Sequence, residues 1–106
     1  MIAYNSAGVH HDQAYLYGRT ASDPLKQDLA QAMLIYGDGL TPDIGGDVPS
    51  SDHAPFEAQG FEAAVLVEHA VWSDPYYHGA ADTVDTAGYL DYWYATRMTR
   101  SAVGYK

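Results

Sequence analysis

Cysteine is absent from the chain, which excludes both a disulfide framework and a thiolate metal site. Any bound metal would have to use imidazole and carboxylate ligands. Basic residues are scarce: five Lys and Arg stand against fourteen Asp and Glu, a formal charge of −9. That surplus repels phosphate backbones and anionic membrane surfaces, so neither nucleic acid nor a membrane is an expected partner. Long apolar runs are missing as well. A run such as Ala63 to Val67 falls far below the roughly 18 residues that span a bilayer. The opening Met1-Ile2-Ala3-Tyr4-Asn5 lacks the basic stretch of a signal peptide and leads into Gly8, His10, His11 and Asp12, so it reads like the middle of a domain.

What is present suffices for a core. Hydrophobic residues make up 47% of the 106 positions, enough for one folded domain over residues 1–106, with no internal repeat, linker or second domain. A chain this short buries a small share of its surface, so its stability would be sensitive to any missing neighbouring segment.

Hydrophobic periodicity and turn residues predict the order strand, strand, helix, short helix, strand, helix. Ile2 to Tyr4 and Ala14 to Tyr17 read as strands separated by a loop. Asp23-Pro24 starts a helix in which Leu25, Leu29, Ala32, Met33 and Tyr36 share a face, and Gly37 ends it. Asp38 to Ser51, with Gly39, Pro42, Gly45, Gly46 and Pro49, reads as a surface loop. Ser51-Asp52 caps a short helix ending near Gln59, and Gly60 leads into Ala63 to Val67, a central strand covered on both faces. After a second loop, Glu68 to Asp85, the residues Leu90, Tyr94, Met98 and Ala102 define a C-terminal helix. The class is α/β, with few strands for a complete sheet.

Two stretches carry a family resemblance: Ser51-Asp52-His53-Ala54-Pro55-Phe56 with Gly60-Phe61-Glu62-Ala63-Ala64, and Pro75-Tyr76-Tyr77-His78 with Asp82-Thr83 and the final helix. Together they resemble the zinc aminopeptidases of metallopeptidase family 28. There a Ser-Asp-His segment precedes a short helix and a turn into a buried strand, and a His ligand follows about 25 residues later. His78 stands 25 positions after His53. Glu62 replaces the usual Pro of the turn and Gly79 the usual Thr after the ligand His.

The resemblance implies the C-terminal fragment of a three-layer α/β/α zinc-exopeptidase fold with a mixed central sheet. It also implies a two-zinc site held by two His, two Asp and one Glu, with a further Glu as general base, acting on a peptide substrate. Only His78 matches a ligand. The family's other Asp ligand would fall just before Met1, so the resemblance leads one to expect a truncated chain, inactive alone, from a secreted or periplasmic parent. The missing neighbours would leave one sheet edge uncovered and apolar, open to self-association.

Further roles follow from position. Tyr77 either offers its hydroxyl to an oxyanion or packs against its loop. Asp82 and Thr83 support the loop of His78 through side-chain to backbone hydrogen bonds. Asp52 and His53 either sit beside the metals or form a helix cap and a buried, hydrogen-bonded His. Met1, Val65 and Val67 flank a pocket for the first side chain of the substrate, or the two Val are core. Ser51, Asp52 and His53 cannot form a triad, because consecutive residues point apart. Asp43, Asp47 and Asp52 miss the spacing of a calcium loop. His10, His11 and His69 show no partner pattern. Two other functions share these features: a noncatalytic peptidase-like interaction module, and an acyl transferase of the glutaminyl cyclase type.

Overall fold

The computed structural model describes residues 3–105. Its elements are strand β1 (Gln13–Tyr17), helix α1 (Asp23–Tyr36), strand β2 (Thr41–Ile44), short helix α2 (Ala54–Ala58), strand β3 (Val65–Glu68) and helix α3 (Tyr92–Gly104). The sheet is mixed, in the order β2-β1-β3, with β1 parallel to β2 and antiparallel to β3. The α/β class is therefore correct.

Alternation along β1 decides which face holds the core. Ala14 and Leu16 are fully buried, and Ala14 packs with Met33 of α1, Leu40, and Tyr94 and Met98 of α3. Tyr15 and Tyr17 occupy the opposite face, where Tyr15 stacks on His69 at 4.0 Å and Tyr17 meets Trp72 edge-on at 6.3 Å. In α3 the buried stripe is Tyr94, Arg97, Met98 and Ser101, so Leu90 lies before the helix and Ala102 is exposed, contrary to expectation. In α1 the buried residues are Lys26, Ala30, Ala32 and Met33, while Tyr36 is exposed.

Gly37 closes α1 as expected, donating its N–H to Met33 O at 2.8 Å. A Cβ there would lie 2.5 Å from that carbonyl and 2.9 Å from Ser101 Oγ of α3, so the tight end of α1, with α3 against it, demands glycine.

Three expectations need correction. Ile2 lies outside the described residues, and Ala3 and Tyr4 form no strand. Their N–H groups donate instead to the Glu68 carboxylate, at 3.1 and 2.9 Å, and Ala3 O accepts from Asp91 N. The second strand of the sheet lies inside the expected loop, at Thr41–Ile44. Pro42 hides it from a reading by breakers, yet an edge strand tolerates proline because one side of its backbone needs no ladder. Finally, β3 is an edge strand among the described residues, and Val65, Leu66 and Val67 are only half-buried.

Buried polar groups lock these pieces together. Lys26 is 2% exposed, and its Nζ donates to Gly18 O at 2.8 Å and Gly45 O at 2.9 Å, joining the ends of β1 and β2, while Asp23 lies 2.7 Å away. Arg97 pairs with Asp12, which Asn5 also contacts at 2.8 Å. The Arg97 pair holds the Asp12 carboxyl below its ordinary value, against the opposing effect of burial.

Candidate functional site

A cavity of about 350 Å³ borders β3. Val65, Leu66 and Val67 all line it, as does Tyr17, the residue of β1 that pairs with Val65. Its other walls come from the loop before α2, through Ser51 and Asp52, and from the loop after β3, through Trp72, Tyr77 and His78. Six residues singled out in the sequence thus share one cavity: Ser51, Asp52, Val65, Val67, Tyr77 and His78. Met1 lies outside the described residues.

His78 sits on a tight turn in which Gly79 N donates to Tyr76 O at 2.9 Å. Its φ of 56° is left-handed, at the third position of the turn, where Gly or Asn is usual. Tyr77 stacks its ring on that of His78 at 4.0 Å. Behind the turn, Tyr76 packs against Tyr89 at 4.5 Å and Tyr4 at 6.0 Å. Tyr89 in turn donates its hydroxyl to Asp82 Oδ1 at 2.6 Å. Burial and the Asp82 carboxylate push the Tyr89 hydroxyl well above its ordinary pKa, so it stays a donor. Thr83 reaches the Thr86 hydroxyl at 3.3 Å. Asp82 and Thr83 therefore bond to side chains, where backbone partners were expected.

Beneath this loop lies Glu68, fully buried, with Asp74 nearby. Desolvation, reinforced by Asp74 and opposed by the hydrogen bond from Tyr4, raises the Glu68 carboxyl to about 7. The sequence offered no hint of this residue beyond its place at the end of an apolar run.

Asp52 is exposed, and no side chain caps α2, so the expected cap is absent. His53 is buried, but neither ring nitrogen has a hydrogen-bond partner. Its Nε2 faces Glu57 Oε2 at 3.8 Å, a pairing legible as an i, i+4 relation. Burial alone would raise the Glu57 carboxyl. The hydrogen bonds from Ser22 Oγ at 2.7 Å and Arg19 N at 2.9 Å, with His53 close by, outweigh it and set the carboxyl below its ordinary value. His69, left without a partner by the sequence, bonds Asp43 of β2 at 3.1 Å and stacks on His10 at 4.2 Å.

As a metal centre around His78 the set is incomplete: among the described residues, no group of three metal-capable side chains includes it. The one such group is Asp47, His53 and Glu57.

Comparison with known proteins places the chain among peptidases, hydrolases that typically depend on a metal. It matches Peptidase family M28 over residues 1–103 and belongs to that family. No curated protein and no solved structure matches it.

Proposed function

We propose that this chain supplies one ligand and two walls of the active site of a zinc-dependent exopeptidase that removes N-terminal residues from peptides. The observation that carries this is the convergence of Tyr77-His78 and Asp52 on the cavity along β3 in a chain that belongs to a peptidase family. His78 offers a neutral imidazole, held in place by a turn whose left-handed backbone is tolerated for the sake of its direction. Zinc, when bound, polarises the scissile carbonyl and acidifies a bound water. Tyr77 donates its hydroxyl to the oxyanion formed as that carbonyl becomes tetrahedral. Val65 and Val67 receive the first side chain of the substrate, while Asp82 and Thr83 hold the His78 loop through Tyr89 and Thr86.

A catalytic zinc needs about three protein ligands, and His78 is one. The remaining ligands and the general base would come from polypeptide other than these 106 residues, and the chain by itself does not turn over. That same shortage favours a second reading for the isolated chain, a noncatalytic peptidase-like interaction module. The test is His78→Ala in a protein that completes the centre. Loss of zinc with a fall in kcat/KM of at least about 100-fold is expected, since even residues supporting a ligand cost 10- to 100-fold. Unchanged zinc content and turnover would remove His78 from the site.

A further inference from the structure

Behind the wall of the cavity lies a group of side chains that the peptidase reading does not use. Asp47, in the loop after β2, His53, just before α2, and Glu57, within α2, each present a ligand atom, and these atoms lie within 4.8 Å of one another. We propose that they form a structural binding site for a divalent transition-metal ion such as zinc or cobalt, which clips the cavity-lining segment 48–52 to α2.

Four observations carry the assignment. The His53 side chain is 2% exposed, and both of its ring nitrogens are buried without a hydrogen-bond partner. A buried ring nitrogen left without a partner is unfavourable, and coordination to a metal satisfies it. Second, Glu57 Oε2 lies 3.8 Å from His53 Nε2, while Oε1 already accepts from Ser22 Oγ and Arg19 N, so the carboxylate is fixed with its other oxygen turned to the imidazole. Third, the ligand chemistry fits: one imidazole and two carboxylates suit zinc or cobalt, and two negative charges neutralise a divalent ion in a buried place.

Fourth, the distances leave a small adjustment to an exposed residue. Bonds of about 2.0–2.2 Å in a tetrahedron bring ligand atoms to roughly 3.5 Å from one another, so the group must contract by about an ångström. Asp47 is exposed, so its side chain can rotate toward His53 and Glu57 while Gly46 O still accepts from Gly18 N at 3.1 Å.

The site is distinct from the His78 position. Neither His53 nor Glu57 lines the cavity, so a substrate there does not reach the ion. What the ion does is mechanical: Val48, Ser50, Ser51 and Asp52, which line the cavity, lie between ligands 47 and 53. The metal assignment needs only Asp47, His53 and Glu57; the benefit to a substrate rests on the peptidase reading.

The test is a titration of the 106-residue chain with Co²⁺, followed by visible absorption and calorimetry, with thermal melts in the presence and absence of the ion. One Co²⁺ per chain is expected, with a rise in Tm on binding. Asp47→Asn, which changes an exposed side chain and leaves the fold intact by circular dichroism, should weaken binding at least tenfold and abolish the rise in Tm. His53→Gln should do the same, and His78→Ala should leave Co²⁺ affinity unchanged. Absence of stoichiometric binding, full affinity in Asp47→Asn, or loss of affinity in His78→Ala would each overturn the proposal. A failure here would not touch the exopeptidase reading, which turns on His78 and peptide turnover.

Discussion

The buried carboxylate of Glu68 accepts the backbone N–H of Tyr4 at 2.9 Å across 64 positions of sequence. This bond and its partner from Ala3 tie the N-terminal segment to the strand that borders the cavity. Because burial and Asp74 raise the Glu68 carboxyl from 4.5 to about 7, the folded chain holds a proton that the unfolded chain has released.

The sign follows from that difference. Between about pH 4.5 and 7 the native state binds more protons than the unfolded state, so stability falls as pH rises, by at most about 1.4 kcal/mol per pH unit. Glu68→Gln keeps an amide oxygen for the Ala3 and Tyr4 N–H groups and does not titrate. Urea unfolding across this window should show a flatter profile in the variant. An identical slope in both proteins would dissociate the pH dependence from Glu68.

Lys26 provides a second test. Its ammonium satisfies the carbonyls of Gly18 and Gly45 in a buried place, so Lys26→Met leaves both acceptors without a partner. A loss of about 2–4 kcal/mol in urea denaturation is expected. Asp23→Asn, at a partner that is 42% exposed, should cost under about 1 kcal/mol. Equal losses would mean that the ion pair, not the carbonyl bridge, carries the effect.

His78 holds a left-handed φ that costs a non-glycine residue about 1–2 kcal/mol. Replacing it with glycine removes that cost and adds backbone entropy to the unfolded chain, about 0.5–1 kcal/mol in the opposite direction. His78→Gly should therefore melt no lower than the parent. A large drop in Tm would show that the imidazole is part of the packing, and would weaken the case for a side chain kept for its chemistry.

The outer edge of β3 has no strand beside it among the described residues, and Val65 and Val67 are half-buried there. We expect the chain to associate through this edge at high concentration, with light scattering as the measure. Val67→Lys places a charge on the edge and should shift the population to monomer. A parent chain that stays monodisperse at every concentration would contradict this.

What could be read from the sequence divides along physical lines. The places of helices α1 and α3 are legible from period and those of β1 and β3 from runs of β-formers, although the buried faces of the helices, with Lys26 and Arg97 in them, differ from the expected apolar ones. Strand β2 was missed because Pro42 and Asp43 look like loop residues, and only its position at an edge, set by long-range pairing, permits them. The buried charges Lys26, Glu68 and Arg97 were equally hidden, since their partners at Gly45, Tyr4 and Asp12 are far away in sequence. Six of the residues around the cavity, Tyr77 and His78 among them, were legible in the sequence, whereas Tyr17 and Trp72 were not. The Asp47, His53 and Glu57 group was not legible either: the acidic loop misses the spacing of a calcium site, and what brings Asp47 near His53 is the fold.

The most direct test of the account is hydrolysis of an aminoacyl nitroanilide by the purified 106-residue chain in excess zinc, before and after a chelator. With His78 the one matched ligand and no group of three metal-capable side chains around it among the described residues, the account predicts no turnover in either condition, even where Asp47, His53 and Glu57 take up metal. Zinc-dependent turnover by this chain, abolished by the chelator, would contradict it.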